Sequence, residues 1–529
     1  MKTALFFFFT AIKKYPKEFI KSIIIVLILS CTEAIAPFAL KYFLDRLTNS
    51  LDIFAVTIFI VSFIFYIFAL TGLKILWFRS LDDFGGKYIS DTLVECEKGI
   101  ANNMDFFEIE KEKNSKLKHA LFSDLLVTFT TIGHHLPSIF GSLLIVIALL
   151  IWSSTINWSI TLILLASFII GIFISYISKN FIYKSSKKTN YALKNINGVT
   201  NDFLDSIETI KTNKICDYFE GKTKSLVKDF IKVAKIEDSK TYFWAGISNG
   251  YNKIIQYLIS ILLVLPFFNG SLPNLALYSI VCSMVLNESQ NIESNIRLVI
   301  KSEVCFKNIN SYLKIENKNR ESVSRINEIE FKNFGINFDG KQILDNFNIF
   351  IKNGSVIRLN GENGSGKTTL LRSLIGVYSN YNGDIKINGK EGYFDITERT
   401  LYISQNEPLL NGTVRSYLET ITKKIITDNL IELINSNVGL DANFLDKEII
   451  NCGENLSNGE KKKIQLIRLE IMKNSVDLFL LDELTAGLDQ TTKENYYKMV
   501  SSLKEKNRIV VLIEHDKNID IQFDGVIDL

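Results

Sequence analysis

Gly361-Glu362-Asn363-Gly364-Ser365-Gly366-Lys367-Thr368 is the stretch that decides how the second half of this chain folds. Its spacing is GxxxxGK[ST]. The apolar, strand-like run 355–359 precedes it and the helix-like run 369–375 follows. Between a strand and a helix, glycines let backbone N–H groups turn inward around a phosphate. The lysine then supplies charge to the β- and γ-phosphates, and the threonine hydroxyl can hold Mg²⁺. Gly361, Asn363, Gly364, Ser365, Gly366, Lys367, Thr368 and Thr369 are therefore the first candidate site residues.

Outward from the octet, short β-type runs alternate with helical ones from Ile329 onward, at 355–359, 401–404, 478–481 and 509–513. That alternation predicts a mainly parallel sheet flanked by helices. In Asp477-Leu478-Phe479-Leu480-Leu481-Asp482-Glu483, an apolar strand ends in two acids. Asp482 stands where a strand end can hold the water shell of Mg²⁺, and Glu483 is placed to polarise an attacking water.

With these residues in view, the half from Ile329 to Leu529 resembles the nucleotide-binding domain of ABC transporters. Leu456-Ser457-Asn458-Gly459-Glu460 is similar to the family's LSGGQ signature, with Asn458 for the first Gly and Glu460 for Gln. The resemblance implies ATP with Mg²⁺, and a γ-phosphate contact from Ser457, Gly459 and Glu460 of an opposite subunit that Asn458 weakens. Gln405 resembles the glutamine that senses Mg²⁺ and faces the membrane part. Thr485-Ala486-Gly487-Leu488-Asp489 resembles the D-loop, His515 the switch histidine, and Cys452-Gly453-Glu454 a shortened X-loop. Phe338 falls where the family stacks an aromatic on adenine. No essential catalytic residue is missing, so hydrolysis is expected, with Glu483 as base.

The first half is of another kind. Residues 23–40, 53–78 and 158–177 are apolar runs long enough to cross a hydrocarbon core, which takes roughly 20 residues. Residues 136–152 make a shorter fourth. Residues 254–268 and 275–286 qualify if they continue into polar-pitted flanks, which must face protein or a water-filled cavity. Lys2, Lys13, Lys14, Lys17 and Lys21 charge the N-terminal arm, and the long links after the second and fourth spans are Lys-rich. The short links 153–157 and 269–274 carry no charge. The bias puts both termini in the cytoplasm and so requires an even number of spans: six fits, four is the alternative. The long links look helical, which predicts continuous helices projecting into the cytoplasm. The segments within 106–116 and 210–221 are candidate coupling contacts. The short apolar stretch Ala4 to Ile12, between Lys2 and Lys13-Lys14, reads as an interfacial amphipathic helix leading into the first span.

The expected organisation is a six-span, all-α membrane domain over 1–313, a polar linker over 314–328 and an α/β P-loop domain over 329–529. Membrane half first and ATPase second resembles the exporter class. A homodimer in the cytoplasmic membrane is the default, with a heterodimer open. Glu33, Asn249, Asn252, Asn287 and Glu288 are intramembrane polar candidates for a cargo cavity. The cargo expected is a small peptide of bacteriocin or cyclic type, with a lipid or lipid-linked glycan as the alternative. The short arm before the first span leaves no room for a leader-cleaving domain, so a peptide would arrive mature. A net charge of +3 gives no field for nucleic acid. The six cysteines fit no zinc spacing and read as incidental thiols.

Overall fold

Apolar sequence folds here into helices that overshoot the bilayer. A computed structural model of the chain describes residues 2–49, 53–104, 106–111, 117–156, 158–264, 272–313, 320–338, 340–392, 394–405, 407–427, 430–431, 438, 443–514 and 521–529. The helices are α1 Lys2–Lys14, α2 Pro16–Asn49, α3 Ile53–Asn103 and α4 Phe106–Lys111, then α5 Leu125–Thr130, α6 Leu136–Ile156 and α7 Trp158–Asp205. After them come α8 Ile207–Asn213, α9 Cys216–Val264 and α10 Leu272–Leu313. α3, α7 and α9 have 51, 48 and 49 residues. At 1.5 Å per residue each runs about 75 Å, more than twice a hydrocarbon core of about 30 Å. The charged links of the sequence are thus the continuations of spans.

Among the described residues, four helices are long and apolar enough by themselves to cross a membrane. α9 and α10 complete the six-helix domain, and their polar residues lower their hydropathy. The fifth expected span ends at 265–268, and the link 269–274 begins, outside the described residues. The same holds for 112–116 of one coupling segment and 314–319 of the linker. The apolar window of α3 buries none of its side chains within the fold, and Phe54, Phe65 and Phe68 are each more than 70% exposed. Such a surface is stable against lipid and not against water.

Two compact units divide the chain: residues 1–104 with 109–316, and residues 105–108 with 317–529. In the first, α1 turns Ala4, Phe7, Phe8 and Ala11 inward and leaves Phe6 and Phe9 exposed, which is the amphipathic pattern expected of it. Its first amides, on Thr3 and Ala4, donate to the Glu303 carboxylate at 3.1 Å each, so an anion caps the positive end of the helix. Two π-helical turns, Ala120–Asp124 and Thr131–His135, flank α5 below α6.

The second unit carries β1 Glu328–Phe338, β2 Lys341–Lys352, β3 Val356–Asn360, β4 Asn382–Ile387, β5 Thr400–Ile403, β6 Leu478–Asp482, β7 Ile509–Ile513 and β8 Gly525–Asp528. Its helices are α11 Lys367–Leu374, α12 Val414–Thr422, α13 Asn458–Met472 and α14 Gln490–Glu505. The central sheet is parallel throughout, in the order β8-β3-β7-β6-β5. Antiparallel β2-β1-β4, with Lys390–Glu391 at the edge, form a second sheet. Phe479 and Leu481 of β6 enter one apolar core, while Leu478 and Leu480 enter the other. Both faces of the sheet are therefore covered, which is why its strands read as continuous apolar runs.

Candidate nucleotide site and membrane cavity

β3 delivers the chain to the phosphate loop, and α11 begins at Lys367. Gly361 has φ +144°, and a Cβ there would lie 2.6 Å from the Leu529 carbonyl oxygen and 2.7 Å from Ser365 Oγ. Gly366 has φ +100°, and a Cβ there would press on Ile343 and Leu344 at 3.0 Å. Both the backbone conformation and the space demand glycine. The Lys367 ammonium donates to the Gly361 and Glu362 carbonyl oxygens at 2.8 and 2.9 Å. Ser365 Oγ is buried with no hydrogen-bond partner. The loop thus offers an unspent hydroxyl and a lysine held on its own backbone, the donor set a polyphosphate needs.

Thr368 Oγ1 donates to Asp482 Oδ2 at 2.9 Å, joining the start of α11 to the end of β6. Burial pushes the Asp482 carboxyl above the usual range and Glu483 beside it adds to this, while the Thr368 hydrogen bond opposes. A buried carboxylate that costs this much to ionise fits a position where a divalent cation supplies the counter-charge. Glu483 sits at φ 50°, a left-handed conformation that carries strain in a non-glycine residue and marks functional turns. Gln405 Nε2 donates to Glu483 Oε2, so the structure joins two of the sequence candidates directly.

Sequence reasoning missed the residue beneath them. Lys462, on α13, is buried and donates to the Gln405 carbonyl oxygen at 3.1 Å and the Glu483 carbonyl oxygen at 3.0 Å. Burial lowers its pKa, against the pull of Asp482, Glu483 and Glu514. One ammonium thus pins the backbones of two catalytic candidates, Gln405 and Glu483.

Ser457 caps α13. Its Oγ accepts from the Glu460 amide at 3.2 Å, and Glu460 Oε2 accepts in return from the Ser457 amide at 2.8 Å and from its hydroxyl at 3.0 Å. This capping box explains why Glu is accommodated at the signature's last place. Lys447 pairs with the other oxygen of Glu460 and is the main cause of a Glu460 pKa lowered to about 2. Nothing lies within 4 Å of a Cβ built on Gly459, and Asn458 is exposed. Asp489 caps α14, accepting from the Thr491 hydroxyl at 2.6 Å and the Thr492 amide at 2.8 Å. These hydrogen bonds, the Thr491 hydroxyl first, hold its carboxyl well below the usual range. His515 lies outside the described residues.

Phe338, at the end of β1, is half-buried, and the Phe107 ring of α4 stacks on it with centroids 4.5 Å apart and planes 15° from parallel. The Arg372 guanidinium lies over the neighbouring Phe106, 5.3 Å from its centroid. Phe106 and Phe107 belong to the same compact unit as Phe338, although they follow α3 in sequence.

In the membrane unit a cavity of about 270 Å³ opens between α2, α3, α6 and α10, and both Glu33 and Glu288 line it. The other three cavity candidates do not join them: Asn249 and Asn287 are exposed, and Asn252 is buried elsewhere on α9.

Comparison with known proteins agrees with this geometry. Residues 344–486 match the family described as ABC transporter, and residues 19–271 match the ABC transporter transmembrane region. The multidrug resistance-like ATP-binding protein MdlB of Buchnera aphidicola subsp. Schizaphis graminum is 23% identical over 539 residues, covering 97% of this chain and 91% of that protein. The microcin-J25 export ATP-binding/permease protein McjD of Escherichia coli is 28% identical over 191 residues, covering 34% of this chain and 32% of that protein. A bacterial Atm1-family ABC exporter solved with ATP bound superposes with a TM-score of 0.86 at 15% identity, covering 97% of this chain and 93% of that one. An ATPase of this build is coupled to transport. The chain belongs to the ABC transporter family, as a half-transporter of exporter architecture with its membrane domain and ATP-binding domain on one polypeptide.

Proposed function

We propose that two copies of this chain pair in the cytoplasmic membrane, termini inward, and use ATP to export a small peptide by alternating access. The observation that carries the paired reading is the state of the signature serine. The chain has one phosphate loop and one Ser457, whose hydroxyl is spent on its own capping box rather than on the loop. Each copy then supplies the loop for one nucleotide and the signature for the other. Glu33 and Glu288 in one cavity support a cargo with polar groups, as a peptide has.

Within each site the geometry supports the following roles. Thr368 and Asp482 would hold Mg²⁺, which when bound supplies charge to the phosphate oxygens. Lys367 exchanges its loop carbonyls for phosphate. Glu483 takes the proton of the attacking water, and its strained backbone, fastened by Lys462, aims the carboxylate. Gln405 is hydrogen-bonded to Glu483 and resembles the family's glutamine that faces the membrane part, which supports hydrolysis and conformation moving together.

The test is Glu483→Gln in proteoliposomes. ATP binding is expected to persist while turnover falls by about 100-fold or more. Turnover near wild type would remove Glu483 as the base. Peptide accumulation inside inverted vesicles, dependent on ATP, tests the cargo. Lipid movement without peptide accumulation would replace the peptide with a lipid.

A further inference from the structure

We propose that the membrane cavity binds a cationic group of the cargo, an alkylammonium or guanidinium, against the Glu288 carboxylate and the Trp77 ring. The inference rests on the transport reading and adds the chemistry of what is carried.

The charges decide it. Three ionisable side chains line the cavity: Glu33, Lys74 and Glu288. Lys74 is spent on Glu33, Nζ to Oε1 at 3.0 Å. The described partners of Glu288 are neutral donors, the Ser142 hydroxyl and, at 3.4 Å, the Asn291 amide. Asn295, also in the lining, has its Oδ1 2.9 Å from His135 Nδ1, and that imidazole is not itself among the lining residues. The cavity therefore holds one carboxylate more than it has cations. A carboxylate at membrane depth costs free energy unless a positive charge accompanies it, and a ligand cation removes that cost. A ligand anion would add to it.

The wall suits the same group. Trp77 lines the cavity, and its six-membered ring packs where residue 141 has no side chain: a Cβ on Gly141 would lie 3.2 Å from Trp77 Cζ2. An indole beside a carboxylate receives an ammonium by cation–π attraction as well as by charge. The volume, about 270 Å³, falls at the lower end of small-molecule sites, so it takes a head group or one side chain, with the rest of the cargo outside.

The experiment uses the full chain in phosphatidylcholine vesicles and reads the concentration of n-octylammonium that half-maximally stimulates ATPase, with n-octanol and n-octanoate as neutral and anionic matches. Octylammonium alone is expected to stimulate. Glu288→Gln should raise its half-maximal concentration about tenfold, the loss of one half-buried charge partner. Lys74→Met should lower it about threefold, because Glu33 is then also free to receive a cation. A purely structural role for these residues would not tighten binding. Equal stimulation by octanol or octanoate would overturn the proposal, as would an unchanged response in both variants. Loss of the dimer in Glu288→Gln would also overturn it, because the carboxylate would then be a subunit contact. A lysine-bearing peptide that stimulates in phosphatidylcholine makes the peptide the source of the cation, whereas stimulation on replacing phosphatidylcholine by phosphatidylethanolamine makes it a lipid head group. Either supports the site. If ATPase were insensitive to Glu483→Gln, the transport reading would fail first, independently of the cavity.

Discussion

Glu460 shows how one substitution in a motif is accommodated. A carboxylate replaces an amide at the point that, by family resemblance, faces the γ-phosphate of the opposite copy. Lys447 neutralises it and the Ser457 amide and hydroxyl hold it. Removing Lys447 leaves the anion facing an anion. Lys447→Ala is expected to lower ATP turnover about fivefold, and Glu460→Gln in the same background to restore most of it; failure of that rescue in steady-state ATPase assays would deny Lys447 the role. Because the Glu460 pKa falls from 4.5 to about 2 on folding, the pair stabilises the fold above about pH 4.5 and is lost as pH falls toward about 2. Thermal unfolding of the variant and the parent should differ by the same amount at pH 8 and pH 6. The phosphate loop and the two acids of β6 were legible in the sequence because consecutive residues carry their chemistry. Lys462 was not, since it meets Gln405 from 57 residues away; Lys447 was not, since nothing in the loop before the signature marks it; and the segment 106–116 stood out as a contact without showing that Phe107 stacks on Phe338.

Between elements, what fixes the long helices below the bilayer is a buried anion. Asp124, in the first π-helical turn, accepts from Asn308 of α10 at 2.7 Å and from Asn190 of α7 at 3.4 Å, with Lys194 3.6 Å away. It is 1% exposed. Asp124→Ala removes at once the acceptor of the Asn308 amide, the counter-charge of Lys194 and the neighbour of the buried His119 ring, 3.7 Å away. The expected cost is about 3 kcal/mol, read as a lower midpoint of thermal unfolding in detergent, with no change in nucleotide affinity. A midpoint within a degree of the parent would show that apolar packing alone sets the register. Helical periodicity announced the length of these elements. It did not announce the π turns, which keep the same periodic look while shifting one residue, nor the full number of spans by hydropathy alone, because α9 and α10 trade apolar residues for polar ones that face protein.

At the scale of the molecule, an apolar surface and a polar ATPase share one chain. The outward Phe54, Phe65 and Phe68 predict that the protein stays in the pellet through an alkaline carbonate wash and leaves it only with detergent. Release by carbonate alone would contradict the six-helix reading. The order of the two halves could be read early, since composition changes abruptly between them. Less visible was that Phe106 and Phe107 leave the helical half to fold with the ATPase. That exchange has a consequence for base selectivity. An aromatic ring has two sides, and Phe107 already occupies one side of Phe338. Tyr378 meets the same ring at a tilt, with centroids 5.0 Å apart and planes 58° from parallel. Were a base to stack on Phe338, as the family resemblance implies, it would join a pile whose middle layer Phe107 steadies from behind. Shaving the rear layer would loosen the middle one without touching the nucleotide, and the penalty would fall hardest on pyrimidines, whose small rings have the least overlap to spare.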